Sequence, residues 1–250
     1  MSDENILIQK RFSELHRRAE STNVYFFSHF LSLAEQSLFR QLSLPPSTYT
    51  AFGGREGCER IMVRFGNEEE IGYELPFPIV LLKAEPVSQK YADKLSHRDL
   101  LGALMNLGIE REVLGDIVLR DNVGYIFAEE TIAPFLIESF TRVKHTDIRL
   151  SVVDTLPEGE LFQTEAQTVQ ISSERLDAIV ARVYSLSRDD AQALFKKSLV
   201  YAEGRVIESP SYRPHEDERI SVRGYGRFVY RGVRSTSKKG KLNVLIEKFV

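Results

Sequence analysis

The arginines and lysines in the last third of this sequence have the clearest chemical potential. Arg175 and Arg182 lie seven positions apart, so in a helix both side chains project from one face. Arg188 falls where a turn is predicted between two helices, and Lys196 and Lys197 end the second helix. Cations grouped in this way can neutralise neighbouring phosphates of a nucleic-acid backbone. The alternative for the two lysines is that they only complement the negative end of a helix dipole.

Positive charge is concentrated near the end of the chain, although the protein as a whole is mildly acidic. The 250 residues carry 33 Lys or Arg and 36 Asp or Glu, a net charge of −3. Residues 171–250 hold 16 of these bases and 10 of the acids, so residues 1–170 are strongly acidic. Between Glu218 and Glu247 no acid occurs, but eight bases do. This asymmetry predicts a separate C-terminal unit with a polyanionic partner, unless the charges merely segregate between two solvated surfaces.

Residue patterns of catalytic and metal-binding sites are incomplete in this sequence. The triplet His97–Asp99 resembles the start of a kinase catalytic loop, but Leu104 stands where that loop needs Asn. The five histidines show no metal-ligand spacing, and the single cysteine, Cys58, has no helper motif. We therefore predict that the protein is not an enzyme and has no catalytic residue, cofactor or metal.

The overall composition is that of a soluble globular protein, with 42% hydrophobic and 28% charged residues. The acidic N-terminus does not resemble a secretory signal. The longest apolar runs are far shorter than the roughly 20 residues that a membrane span needs. We expect a cytoplasmic, monomeric protein without a membrane span.

Apolar spacing and turn residues divide the chain into blocks that together predict an α+β fold. Residues 1–75 are expected to form an N-terminal domain of helices and short strands. Residues 76–157 follow the order β-α-β-β-α-β, which RNA-recognition (RRM) and ferredoxin-like domains share. Residues 158–171 are polar without periodicity and are predicted to be a linker or a peripheral hairpin. Residues 172–250 are then the C-terminal domain.

This C-terminal domain is predicted to begin with two helices and to continue with strands. Ser172 or Ser173 can cap the first helix. Ser187 can cap the second, where Asp190 completes a capping box. The segment "VRGYGRFVYRG" favours a strand at the edge of the sheet, followed by "STSKKGK" as a basic hairpin loop.

Two segments contain aromatic residues that could stack on nucleobases. "RGYGRFVY" resembles the RNP1 signature of RRM domains with Arg227 inserted, and an inserted residue reverses the face of every later side chain in a strand. In the central block, Tyr125 and Phe127 share one face of the third predicted strand. Packing in the core or against another domain is the favoured interpretation of that pair.

Residues 172–232 resemble the S4 RNA-binding domain. The resemblance rests on "RLD" opening the first helix, "SR" before the second, a basic helix end, a short hairpin, and an acidic turn that leads into "ISV". The sequence departs from the S4 pattern at Glu203, where many S4 domains have Asn. It departs again at Asp217-Glu218, which replaces the usual Gly-Asp.

Over nearly its whole length, the chain resembles the YlmH family of bacterial S4-domain proteins. The resemblance rests on "LSHRDLLGALMNLGIEREVLGDIVL" in the central block and on "ISVRGYGRF" and "KKGKL" near the end. It implies an N-terminal domain, a central RRM-like domain and a C-terminal S4 domain.

The family resemblance also carries functional expectations. It implies a non-enzymatic RNA-binding protein whose partners are rRNA and tRNA on the large ribosomal subunit, with a role in quality control of stalled ribosomes. The gene neighbourhood typical of the family is linked to cell division. The alternative is therefore an adaptor for division proteins whose RNA binding is incidental.

The predicted RNA-binding site takes its principal residues from the helix pair and supporting phosphate contacts from the strands and the hairpin loop. The principal residues are Arg175, Asp177, Arg182, Ser187, Arg188, Gln192, Lys196 and Lys197. The supporting residues are Arg223, Arg227, Lys238 and Lys239.

Overall fold

A computed structural model describes residues 3–159, 161–162 and 164–249. The chain divides into two compact units, residues 1–161 and residues 162–250. Both units combine helices with antiparallel sheets, which confirms the predicted α+β class. The boundary predicted at residue 75 lies inside the first unit, because the segments on its two sides share a core.

The first part of unit 1 is a three-stranded sheet covered by helices. Its elements are α1 (Asp3–Thr22), β1 (Phe26–Phe27), α2 (Leu33–Arg40), β2 (Tyr49–Phe52), β3 (Met62–Phe65) and α3 (Glu68–Ile71). The strand order is β1-β3-β2. The ring of Phe39 packs edge-on against Phe12, Tyr49 and Phe65 at centroid distances of 5.5, 4.9 and 5.9 Å, which joins both long helices to the sheet.

The second part of unit 1 has the predicted β-α-β-β-α-β order, with one short strand added. Its elements are β4 (Ile79–Pro86), α4 (His97–Met105), β5 (Leu114–Arg120), β6 (Val123–Glu129), α5 (Ala133–Ser139), β7 (Arg142–Val143) and β8 (Thr146–Val153). The sheet order is β5-β6-β4-β8-β7. Helix α4 begins with a capping box formed by Ser96 and Asp99. Its Leu100 and Leu104 pack with Leu82 and Ile126 on one face of the sheet.

The opposite face of this central sheet is covered by the first part of unit 1. Tyr125 and Phe127 are only 8% and 3% exposed, in a cluster with Phe30 and Met62. Gly115 allows this close packing, because a Cβ atom there would lie 2.8 Å from the ring of Phe30. The favoured interpretation of Tyr125 and Phe127 as packing residues is confirmed.

A buried polar cluster adds to the contact between the two parts of unit 1. The carboxylate of Asp116 on β5 accepts a hydrogen bond from the backbone N–H of Glu59 at 2.5 Å. The guanidinium of Arg60 donates to the carbonyl oxygens of Phe30 at 2.6 Å and Leu114 at 2.9 Å. Burial is the main reason why the pKa of Asp116 is raised.

Unit 2 is a six-stranded antiparallel sheet with two helices on one face. Its elements are β9 (Thr164–Ile171), α6 (Leu176–Val183), α7 (Arg188–Lys196), β10 (Val200–Ala202), β11 (Arg205–Val206), β12 (Glu218–Val222), β13 (Gly226–Thr236) and β14 (Leu242–Phe249). The sheet order is β11-β10-β12-β13-β14-β9. Ile179 and Phe195 of the helices pack against Ile220, Phe228 and Val244 of the sheet.

The linker prediction for residues 158–171 is wrong over its second half. Strand β9 pairs with β14 along its whole length, from Thr164 opposite Phe249 to Ile171 opposite Leu242. The sequence pattern is weak because β9 is an edge strand that buries only Val169 and Ile171.

Three other local predictions for unit 2 also differ from the structure. Helix α6 has no serine cap, since the N–H groups of Leu176 and Asp177 donate to carbonyl oxygens in the loop at Tyr212 and Pro210, at 2.8 and 3.1 Å. The carboxylate of Asp190 accepts from the hydroxyl of Ser187 at 2.6 Å and makes no full capping box. The segment "VRGYGRFVYRG" is a turn followed by β13, which lies inside the sheet and not at its edge.

Candidate nucleic-acid interface

A cleft of about 290 Å³ lies on unit 2 between the end of β9, helix α6, the start of α7 and the β13–β14 hairpin. Four cationic residues line it: Arg175, Arg182, Arg188 and Lys241. We call this set the basic cleft. Three of the four were predicted as principal RNA-binding residues, and the structure brings these three together.

Asp177 lies at the base of the basic cleft and orients Arg175. Its carboxylate is 1% exposed and accepts hydrogen bonds from Arg175 Nε at 3.0 Å and Arg175 Nη2 at 2.8 Å. Gln192 on α7 donates to the same carboxylate at 3.3 Å. Two of the five N–H bonds of the Arg175 guanidinium are thus used internally, which leaves three for a ligand. Asp177, supported by Gln192, therefore positions a cation of the cleft.

Burial and hydrogen bonding act in opposite directions on the Asp177 carboxylate. Burial is the largest influence and would raise its pKa, but the hydrogen bonds from Arg175 and Gln192 favour the charged form. The resulting pKa lies below the ordinary value, so Asp177 is ionised at neutral pH. The ion pair that orients Arg175 is then fully formed.

The other two predicted arginines of the cleft are held by local structure. Arg182 Nε donates to the carbonyl oxygen of Gln170 at 3.1 Å, which ties α6 to the end of β9. Arg188 is the first residue of α7 and is exposed. Ser187 is the N-cap of that helix and accepts from the N–H of Asp190 at 3.1 Å, so its role is to fix the helix start.

Lys196, Lys197 and Arg223 lie outside the basic cleft. The two lysines are exposed at the C-terminal end of α7. The backbone N–H of Arg223 donates to the carbonyl oxygen of Leu199 at 2.9 Å, which places the β12–β13 turn beside this helix end. The guanidinium of Arg223 lies 5.5 Å from the ring centroid of Tyr201.

The remaining supporting residues are divided between the sheet and the hairpin. Arg227 lies over the rings of Phe249 and Phe162 at 4.5 and 5.5 Å from their centroids. Lys238 and Lys239 are exposed in the turn between β13 and β14, as the predicted hairpin loop requires. Lys241 follows in the same turn and lines the basic cleft.

Several bases of the acid-free stretch are paired with carboxylates from elsewhere in unit 2. Arg219 pairs with Glu203 at 2.9 Å and Arg234 with Glu216 at 3.4 Å. Arg231 contacts Asp217 at 2.5 Å and Glu247 at 2.7 Å. The positive run in the sequence is therefore partly neutralised by its own fold.

Sequence reasoning did not include Lys241 among the site residues. Its position in the basic cleft depends on the pairing of Leu242 with Ile171, which brings the hairpin beside the start of α6. The available signal was its place in the same basic loop as Lys238 and Lys239. Because the residues of β9 were predicted to be a linker, the position of this loop beside the end of β9 and the start of α6 was not predicted.

Within the described ranges, no group of three or more His, Cys, Asp or Glu side chains is arranged to hold a metal ion. Among these same residues, no helix has the length and apolar character needed to cross a membrane.

The geometry defines a class: an α+β protein whose C-terminal unit carries a cationic cleft of about 290 Å³ beside a helix pair. Residues 76–156 match the family model described as "Putative RNA-binding domain in YlmH". The chain is 30% identical over 231 residues to "Ribosome-associated protein quality control protein P2" of Bacillus subtilis (strain 168). The aligned region covers 88% of this chain and 85% of the relative. The chain belongs to the YlmH family.

A solved structure also resembles part of the chain. It is "Cell division protein ylmH from Streptococcus pneumoniae", with 19% sequence identity and a TM-score of 0.48. The similarity covers 61% of this chain and 93% of the solved one.

Proposed function

We propose that this protein binds structured RNA, namely rRNA and tRNA on the large ribosomal subunit, and that it does so without catalysing a reaction. The proposed context is quality control of stalled ribosomes, which the name of the Bacillus subtilis relative supports. The protein would act as a monomer in the cytoplasm.

The observation that carries this proposal is the convergence of Arg175, Arg182, Arg188 and Lys241 on one cleft. Arginine binds phosphate through a planar fork of donors, and Asp177 fixes the orientation of one such fork. Contacts of this kind to the backbone position a protein on folded RNA without reading its sequence. A groove that recognises shape and phosphates suits structured rRNA and tRNA better than a specific single-stranded sequence.

The proposal also assigns the two domain types implied by the family resemblance. Unit 2 would be an S4 domain, which is supported by the succession of α6, α7, the β10–β11 hairpin and β12. The second part of unit 1 would be RRM-like, which is supported by its strand order β5-β6-β4-β8. Because Tyr125 and Phe127 are buried, RNA contacts of this part would not use the sheet face on which RRM domains stack bases.

Binding to purified large ribosomal subunits, measured by co-sedimentation over a series of salt concentrations, tests the proposal. We expect Arg188→Ala combined with Lys241→Ala to weaken binding and to reduce its salt dependence, because fewer phosphates are neutralised. For each phosphate that the variant no longer neutralises, the slope of log K against log salt should fall by about 0.7 to 0.9.

Arg234→Ala is the matched control, because it removes a positive charge from the same unit at an exposed residue already paired with Glu216. Its binding should stay close to that of the wild type. Undiminished binding of the double variant would contradict the proposal. Recovery of division proteins without rRNA in a pull-down would favour the adaptor alternative.

A further inference from the structure

We infer that unit 2 carries a second RNA-contact surface, separate from the basic cleft, at which an unpaired nucleobase stacks on Tyr225. This surface consists of Lys196, Lys197, Tyr201, Arg223 and Tyr225, and we call it the tyrosine surface. The inference rests on the proposed function, because it adds a class of ligand, single-stranded RNA beside a structured element, to the same unit.

The turn between β12 and β13 presents Tyr225 to solvent. Val222 pairs with Gly226, and the N–H of Tyr225 donates to the carbonyl oxygen of Val222 at 3.0 Å, so Tyr225 lies in a tight turn. Gly224 and Gly226 flank it with φ values of 90° and 130°, which side chains rarely adopt. Both neighbours therefore lack a side chain, and 45% of Tyr225 is exposed.

The exposed ring is held in place from below. Its centroid lies 5.5 Å from that of Tyr184, at an interplanar angle of 51°. Tyr184 in turn packs against the buried ring of Phe228 and lies 5.3 Å from Lys248 Nζ. An aromatic side chain that is already ordered loses little conformational entropy when a base stacks on it.

Positively charged residues lie on the elements next to this turn. Lys196 and Lys197 are exposed at the end of α7, and the bond from Arg223 N–H to Leu199 ties the turn to that end. The Arg223 guanidinium lies over Tyr201. Aromatic rings combined with cations that follow the backbone are the features by which proteins hold single-stranded nucleic acid. This excess of cations favours RNA over a protein partner, which would have to be strongly acidic.

The tyrosine surface and the basic cleft engage different parts of an RNA. Arg188 is the first residue of α7 and Lys196 the last, and nine residues of α-helix span about 12 Å. A phosphate bound by Arg188 in the cleft and one bound by Lys196 in the tyrosine surface therefore belong to different nucleotides. The arrangement suits a paired element in the cleft with an unpaired nucleotide beside it.

Two RNA probes test the inference: a blunt duplex of about twelve base pairs, and the same duplex with a four-nucleotide single-stranded 3′ overhang. Binding of the full chain is measured by fluorescence anisotropy. One base stacked on an aromatic ring contributes about 1 to 3 kcal/mol, so we expect the overhang to tighten wild-type binding about 5- to 150-fold. Tyr225→Phe should retain this gain, because the ring remains. Tyr225→Ala should lose it.

Salt dependence distinguishes the two surfaces. Tyr225→Ala removes no charge, so its salt slope on the overhang probe should match that of the wild type, whereas Arg188→Ala should lower the slope. Tyr91→Ala is the matched control: Tyr91 is 79% exposed beside Lys90, at 5.4 Å, but lies in unit 1. Thermal unfolding of each variant identifies any loss of binding that comes from loss of structure.

An overhang gain that persists in Tyr225→Ala, or is missing from the wild type, would overturn the inference. The same variants are therefore also compared on purified large subunits, where Tyr225→Ala should bind more weakly than Tyr225→Phe. Equal binding of those two variants would refute the tyrosine surface even if neither probe binds. Undiminished binding of Arg188→Ala with Lys241→Ala would count against the proposed function instead.

Discussion

At the scale of single residues, Asp177 shows how a carboxylate can serve a surface built for anions. A negative charge beside phosphate should weaken binding by simple electrostatics. Yet the Asp177 carboxylate is buried beneath Arg175 and is hydrogen-bonded on both of its oxygens. Asp177 therefore affects a bound phosphate by fixing the orientation of the Arg175 guanidinium. If net charge governs phosphate binding, removing the charge of Asp177 should strengthen binding. If the orientation of Arg175 governs it, the same substitution should weaken binding.

The Asp177→Asn variant distinguishes the effect of net charge from the effect of Arg175 orientation. We expect weaker binding to large ribosomal subunits, although the change makes the cleft more positive, because Arg175 loses its bidentate partner. Asp177→Glu is the companion variant that keeps the charge but moves it. Tighter binding by Asp177→Asn would show that net charge, and not orientation, governs the cleft.

The same substitution should alter acid stability. The folded-state pKa of Asp177 is lowered, so its ion pair adds stability that is present above the unfolded-state pKa of about 4 and is lost as pH falls through the folded value. Urea unfolding at pH 7 and pH 3 should therefore show a smaller pH effect in Asp177→Asn than in the wild type. An unchanged pH effect would mean that other carboxylates account for acid sensitivity.

Cys58 is a second residue whose environment decides its chemistry. Burial, and then the nearby Asp116 carboxylate, raise its pKa to about 12. The native thiol should therefore react with iodoacetamide at pH 8 at least about tenfold more slowly than the urea-unfolded chain. Mass spectrometry over time measures both rates, and equal rates would contradict the raised pKa.

Two departures from the S4 pattern occur at residues with left-handed backbone. Glu203 has φ 46° and Asp217, which replaces the usual Gly, has φ 67°. Gly adopts such angles without steric cost, and Asn and Asp adopt them more readily than Glu does. Both carboxylates are used, however, because Glu203 pairs with Arg219 and Asp217 with Arg231. An ion pair in each case offsets part of the backbone cost.

At the scale of elements, the start of α7 links stability to the candidate interface. The helix begins at Arg188, so the Ser187 cap also fixes the backbone of a cleft residue. Loss of a serine cap costs about 1 kcal/mol. We expect Ser187→Ala to lower the free energy of unfolding by about that amount and to weaken binding to large subunits slightly.

Urea unfolding monitored by circular dichroism measures the stability change. Ser187→Asp is the control, because aspartate also caps helices and suits the positive N-terminal dipole. Its stability should stay near that of the wild type, although the added charge beside the cleft should weaken binding. Equal stability of Ser187→Ala and the wild type would show that the cap is not needed here.

How far the sequence predicts an element depends on how much of it is buried on one face. Helix α6 buries Leu176, Ile179, Val180 and Val183 at helical spacing, and this spacing is visible in the sequence. Strand β9 is paired on only one side and exposes most of its residues, so its sequence resembles a loop. The contact between Asp177 and Gln192 joins two helices, and no local pattern encodes such a contact. The arginines of the cleft, Asp177 and Gln192 were therefore named from the sequence, but the hydrogen bond that joins Asp177 to Gln192 was not predictable.

At the scale of the molecule, the charge asymmetry of the sequence corresponds to the two compact units. The basic excess falls in unit 2 and the acidic excess in unit 1. Some cations of the positive run form ion pairs on the strands. Those that remain available to a ligand are grouped near the ends of α7 and in the hairpin. Net charge therefore pointed to the unit that holds the basic cleft, whereas the position of the cleft depends on strand pairing.

The limits of unit 2 give a direct test of its organisation. We expect a fragment of residues 162–250 to fold and unfold cooperatively, because it contains all six strands of its sheet. A fragment of residues 172–250, which begins at the boundary predicted from the sequence, lacks β9 and leaves β14 unpaired on one side. It should be less stable and more prone to aggregate.

Circular dichroism during thermal unfolding and size-exclusion chromatography compare the two fragments. Equal stability and solubility would show that β9 is dispensable and that the boundary at residue 172 describes the folding unit well enough.

The pairing of β9 with β14 also has a consequence for the order in which the protein is made. Among the described strands of unit 2, β9 is the first to leave the ribosome, and β14, with which it pairs, is the last. During synthesis β9 therefore stays unpaired on that side until β14 has also emerged. A chain whose own translation halts before β14 has emerged would therefore keep an incomplete sheet, with the hairpin that carries Lys241 unable to close against the start of α6.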